Sequence, residues 1–141
     1  MSAEARSPQH RLSIAGEDDI VLARQRARDL ARRLGFGMID QSRIATAVSE
    51  LTRNVVRYAT DKRGEVHLTE LRSPDGTAGL EIVVADHGPG IPDVERAMQE
   101  GFTSGPGLGM GLPGTKRLMD EMDVDSVVGR GTIVTVRKWR R

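Results

Sequence analysis

The chain has 141 residues and no cysteine, and its 21 Lys plus Arg stand against 20 Asp plus Glu, for a net charge near +1. This excludes a disulfide framework and thiolate metal sites, and so even a charge balance argues against nucleic acid as the main partner. At 38% apolar and 3% aromatic, one domain with a core of Val, Ile, Leu, Ala and Met is expected, in a cytoplasmic setting, with no apolar run near the roughly 18 residues of a membrane span.

Residues 1–8 are polar and irregular and read as a mobile segment ahead of a single domain over residues 9–141. Residues 10–14 suit a short edge strand. A helix follows, capped by Asp18 or Asp19. Its apolar residues Ile20, Ala23, Ala27, Leu30, Ala31 and Leu34 recur at helical spacing, and Gly35 and Gly37 suit its end. The opposite face carries Arg24, Arg28 and Arg32, either a solvated face or a docking surface for an acidic partner. A second helix is expected over residues 40–59, capped by Asp40, with Ile44, Val48, Leu51, Val55 and Tyr58 as its stripe.

Residues 64–71 alternate like a strand, and residues 80–85 form a more continuous apolar run, as in a strand covered on its faces. Ser73-Pro74-Asp75-Gly76 between them makes a hairpin with a longer loop. Pro92 opens a third short helix reaching about Glu100, and residues 112–122 suit a fourth. Two last strands, residues 124–128 and 132–138, join through Gly129-Arg130-Gly131. This order predicts an α+β fold, a two-layer α/β sandwich with a mixed sheet, over a doubly wound parallel sheet.

Two glycine clusters carry the chemistry. Asp86-His87-Gly88-Pro89-Gly90 puts a carboxylate at a strand end before a turn, and Gly105-Pro106-Gly107-Leu108-Gly109-Met110-Gly111 follows. Such glycines let backbone approach a ligand and leave N–H groups free to meet anions. Neither cluster is a Walker A loop or a Rossmann fingerprint. Upstream, Glu50 and Asn54 share one face of the second helix, where a carboxylate and an amide oxygen can hold a water and a magnesium ion, or simply face solvent. His10, His67 and His87 are scattered and show no ligand spacing.

In this order the parts resemble the ATP-binding fold shared by histidine kinases, gyrase, the Hsp90 chaperone and the MutL repair protein. Glu50-Leu51-Thr52-Arg53-Asn54 matches the first box, and the two glycine clusters match the second and third. Gly129-Arg130-Gly131-Thr132 matches the Gly-x-Gly-Thr segment that follows them. Within that superfamily the chain resembles the small serine kinases that act as bacterial anti-sigma factors and partner switches, most of all the switch kinases of the stressosome. Residues 41–54, 100–105 and 109–120 carry this likeness. The short segment from Phe102 to Gly109 holds no Lys or Arg, unlike the longer lid of the sporulation kinases, so the cation for the γ-phosphate is unassigned; Arg57, Lys116 and Arg117 are weak candidates.

The resemblance implies a Bergerat-type domain using ATP and Mg2+. Asp86 would accept a hydrogen bond from the adenine amino group, supported by Thr132, while Gly88 and Gly90 let the chain turn under the base. Asn54 would bind Mg2+. The lid residues Gly105, Gly107, Leu108, Gly109, Met110 and Gly111 would surround the phosphates, and Glu50 would be the general base. It also implies a STAS-domain protein as substrate and a PP2C-type phosphatase as a second partner. The alternatives are an anti-sigma factor kinase that binds a sigma factor directly, and a nonenzymatic ATP-gated binding module.

Overall fold

The structure, a computed structural model, describes residues 4–5, 10–59, 61, 63–91, 94, 98 and 111–141. Its strands are β1 (Glu4–Ala5), β2 (His10–Ile14), β3 (Gly64–Arg72), β4 (Ala78–Asp86), β5 (Glu121–Val127) and β6 (Gly131–Trp139). Its helices are α1 (Glu17–Arg33), α2 (Met38–Tyr58) and α3 (Gly111–Leu118). The strand order is β1-β3-β4-β6-β5, with β2 also on the β3 edge. This is the expected α+β class. The expected mixed sheet is corrected, because every pairing among the described strands is antiparallel. The crossover through α3 makes β5 run with β4, but the β5–β6 hairpin then places β6 between them.

Helix α1 begins after Gly16, and Asp19 reaches back to accept the Ala15 N–H at 2.8 Å instead of capping directly. Its end is closed by Gly35 at φ 91°, with the Phe36 and Gly35 N–H groups bonded to the Ala31 and Arg32 carbonyls. This Schellman pattern needs a residue that tolerates positive φ. Helix α2 starts two residues earlier than expected, after Gly37, and Asp40 does not cap it. Asp40 instead meets Arg43 at 3.1 Å and Lys138 at 3.7 Å.

All six apolar positions expected on α1 are buried, as are Ile44, Val48, Leu51 and Val55 of α2. They pack on Val66, Leu68, Ile82, Val84, Val134 and Val136, which line one face of the sheet. Each such side chain contributes about 1.5–3 kcal/mol. The other face is only half-covered, and Ile133 there is 45% exposed. The β4 run is thus buried by its central place in the sheet, not by layers on both faces. Residues 1–3 and 6–8 of the expected mobile segment lie outside the described residues, and Glu4–Ala5 pairs with Arg72 and Leu71. Most of the expected helix after Pro92 also lies outside them; there the Met98 N–H donates to the Val94 carbonyl at 3.0 Å.

Candidate functional site

One row of residues crosses the sheet in register. Gly64 faces Asp86, Asp86 faces Thr132, and Thr132 faces Ser126. Alternation along each strand puts Asp86 on the side of Val84, Thr132 on the side of Val134, and Ser126 on the side of Val124. The three polar side chains therefore share the helix-covered face, at the end of the valine floor. Gly64 opens the row. A Cβ there would meet the Ala85 carbonyl oxygen and stand 2.8 Å from a Val55 methyl. Val55 of α2 thus sits on Gly64 and brings the second half of α2 over the Asp86 end of the sheet.

The Asp86 carboxylate is half-buried. Its Oδ1 accepts the Gly88 N–H at 2.7 Å, turning the chain out of β4, while Oδ2 keeps acceptor capacity for another donor. Gly90 has φ 79°, and a Cβ on it would stand 2.7 Å from the Val127 carbonyl oxygen. The turn thus lies flat on the β5–β6 loop, where the Gly129 N–H donates to the Pro89 carbonyl at 3.0 Å. Gly131 has φ 139°, and its Cβ would collide with the Asp86 carbonyl oxygen. Ser126, which the sequence reading missed, ties these parts together. Its Oγ accepts the Ile91 N–H at 2.7 Å, lies 2.9 Å from Thr132 Oγ1 and donates to the Gly131 carbonyl at 3.3 Å. Its sign in the sequence is a polar residue at the third inward position of an alternating strand, after Met122 and Val124.

On α2, Glu50 and Asn54 are both half-buried. Glu50 Oε1 lies 3.0 Å from Arg53 Nη1, and its side chain is 15% exposed. The pair is thus an oriented carboxylate, not a solvated one. Helix α3 packs on α2 through a buried segment that includes Thr115, whose hydroxyl donates to the Gly111 carbonyl at 3.0 Å. Its C-terminal Leu118 carbonyl is held by Lys138 beside Asp40, at the start of α2. Gly111, at φ 67°, opens α3. Gly105, Gly107, Leu108, Gly109 and Met110 lie outside the described residues. Of the weak γ-phosphate candidates, Arg57, Lys116 and Arg117 are all exposed, in the last turns of α2 and α3. Among the described residues no group of three His, Asp or Glu could hold a metal, so a metal here would rest on Asn54 and a ligand's own oxygens. Nor is any helix among them long and apolar enough to cross a membrane.

The row, the glycine turn and the α2 pair form a nucleotide-sized constellation, and comparison with known proteins agrees. Residues 15–138 match the histidine kinase-like ATPase domain family. The serine/threonine-protein kinase RsbT of Bacillus subtilis is 49% identical over 128 residues, covering 91% of this chain and 94% of that one. The anti-sigma F factor of Geobacillus kaustophilus is 38% identical over 106 residues, covering 72% and 70%. A solved structure with RsbU and RsbW domains from Mycobacterium tuberculosis superposes with a TM-score of 0.62 at 23% identity, covering 96% of this chain and 34% of that one. The mycobacterial sensor histidine kinase MprB gives 0.55 at 22% identity, covering 94% and 97%. These two likenesses carry the fold alone. The chain belongs to the histidine kinase-like ATPase family and, within it, to the ATP-dependent serine/threonine protein kinases of the RsbT type.

Proposed function

We propose that residues 9–141 act as one kinase domain that transfers phosphate from Mg-ATP to a serine or threonine of a STAS-domain protein. The chain then serves as a partner switch that, once released, activates a PP2C-type phosphatase in a stress response. The observation that carries the reading is the register row: it sets Asp86 beside Thr132 beneath the part of α2 that bears Glu50 and Asn54.

In this reading Asp86 accepts a hydrogen bond from the adenine amino group and Thr132 supports it. Gly88 and Gly90 keep the turn low enough for the base to lie against it. Asn54 would hold Mg2+, which when bound supplies charge neutralisation between the phosphates. The backbone of Gly105, Gly107, Leu108, Gly109, Met110 and Gly111, with the positive end of α3, would face the phosphates. Glu50, oriented by Arg53, takes the proton from the attacking hydroxyl as the γ-phosphoryl group moves to that oxygen.

The test is labelled ATP with purified STAS-domain proteins. Glu50→Ala should keep ATP binding and lose about 10²–10⁴-fold in transfer. Undiminished transfer would remove Glu50 from the chemistry. The anti-sigma F factors among the relatives favour a second reading, direct binding of a sigma factor. Recovery of a sigma factor on the immobilised chain would support it.

A further inference from the structure

Thr132 can present a ligand with either a proton or a lone pair, and its neighbour decides which. A hydroxyl has one proton and two lone pairs. On Ser126, the Ile91 N–H at 2.7 Å takes one lone pair. The Gly131 carbonyl at 3.3 Å can only accept, so it takes the proton. One lone pair is left for the contact of 2.9 Å with Thr132 Oγ1, so there Thr132 must be the donor. With its proton committed to Ser126, Thr132 offers lone pairs only. Asp86, the next residue in the row, is also an acceptor.

We infer that Ser126 is a positioning residue for base selection: by taking the Thr132 proton it makes Asp86 and Thr132 an all-acceptor edge, which favours a purine with an amino group at position 6 and disfavours one with an oxygen there. The inference deepens the reading of this row as the adenine end of the site and rests on it. Ser126 itself need not touch the nucleotide. An acceptor facing an acceptor leaves both unsatisfied, which is how a polar site rejects the wrong partner. The same Ser126 oxygen binds the Ile91 N–H, so the turn beneath the base and the polarity of Thr132 are set by one atom.

ATP and inosine triphosphate are the probes, because inosine carries oxygen at position 6 without guanine's extra amino group. Binding of each to the full chain is measured by calorimetry. The wild type should prefer ATP. Ser126→Ala frees the Thr132 proton to turn toward the base, so the preference should narrow about five- to tenfold, mostly through weaker ATP binding. Ser126→Thr, which keeps the hydroxyl, should restore it. Thr132→Val keeps Ser126 on Ile91 and should narrow the preference by itself. Adding Ser126→Ala to Thr132→Val should then change the ratio no further.

Equal weakening of both nucleotides by Ser126→Ala would make Ser126 a structural residue only and overturn the proposal. So would a preference left intact in Thr132→Val, which tests the idea even if the Ser126 variant does not fold. A wild type that binds ATP and inosine triphosphate alike would instead overturn the adenine-end reading, and the proposal with it.

Discussion

The Lys138 ammonium is buried to 3% exposure and lies 3.7 Å from the Asp40 carboxylate, tying the last strand to the first turn of α2. It also donates to the Leu118 carbonyl at 2.8 Å and lies 3.9 Å from Asp120, so it clamps the end of α3 as well. A buried cation is tolerated only when its donors are used, and here three groups on three elements use them.

Removing that cation should be expensive. Lys138→Ala leaves the Leu118 carbonyl without its donor and two carboxylates without a counter-charge. Asp40 keeps Arg43 at 3.1 Å and Asp120 keeps Arg141 at 2.7 Å, so the loss stays below that of an isolated buried pair. About 2–4 kcal/mol is expected in urea unfolding. Arg43→Ala, which removes a 49%-exposed partner, should cost under about 0.5 kcal/mol. Equal losses for the two variants would mean that the Lys138 clamp is no stronger than a surface pair.

Two glycines two residues apart should respond differently to alanine. At Gly131, φ is 139° and the new Cβ collides with the Asp86 carbonyl, which is backbone and cannot swing away. Gly131→Ala should cost about 2–4 kcal/mol and weaken ATP binding together, because Asp86 itself must move. At Gly129, φ is 84° but nothing lies within 4 Å of a Cβ. Gly129→Ala should cost about 1–2 kcal/mol from strain alone and leave ATP binding intact. A thermal melt with and without ATP checks both.

Much of this was legible because local chemistry decides it. Ser73-Pro74-Asp75-Gly76 gave the β3–β4 hairpin, and Gly35 gave the end of α1, since both need specific residues at specific φ. The end of α3 was not legible. Met119 and Met122 continue a helical pattern, yet the Asp120 N–H donates to the Arg137 carbonyl and the chain turns into β5. A partner 17 residues away overrode the local period. Asp40 misled for the same reason, since its place is set by Lys138 rather than by its own helix. The site was legible as residue types but not as a row: Asp86, Thr132 and Ser126 align only because β6 inserts between β4 and β5, and strand order is a tertiary fact.

Asp86→Asn should separate binding from folding. The amide oxygen can still accept the Gly88 N–H that holds the turn, so the melting temperature should move by no more than about 2 °C. The other arm becomes an NH₂ donor, which opposes the amino group it is proposed to receive. ATP affinity should fall at least about tenfold. Retained affinity in calorimetry would place the base elsewhere.

His10 should give the chain a pH dependence between 7 and 5. It sits where β2 meets α1, with Nε2 3.5 Å from Arg33 Nη2, in a groove of about 450 Å³ lined also by Leu30, Leu34, Glu70 and Arg72. Burial first, then the charges of Arg33 and Arg26, hold its pKa below the ordinary 6.5. Glu70 also faces the groove but is already 3.0 Å from Arg72. The neutral ring accepts from Arg33; the protonated ring can only repel it. Below pH 6.5 the unfolded chain takes up this proton before the folded one does, so stability is full above that pH and is lost as pH falls through the lower, folded value. Wild-type melting temperature should therefore drop between pH 7 and 5 by more than that of His10→Gln. Arg33→Ala should reduce the drop without abolishing it, since burial is the larger cause. Identical pH profiles for wild type and His10→Gln would show that another group sets the acid limb.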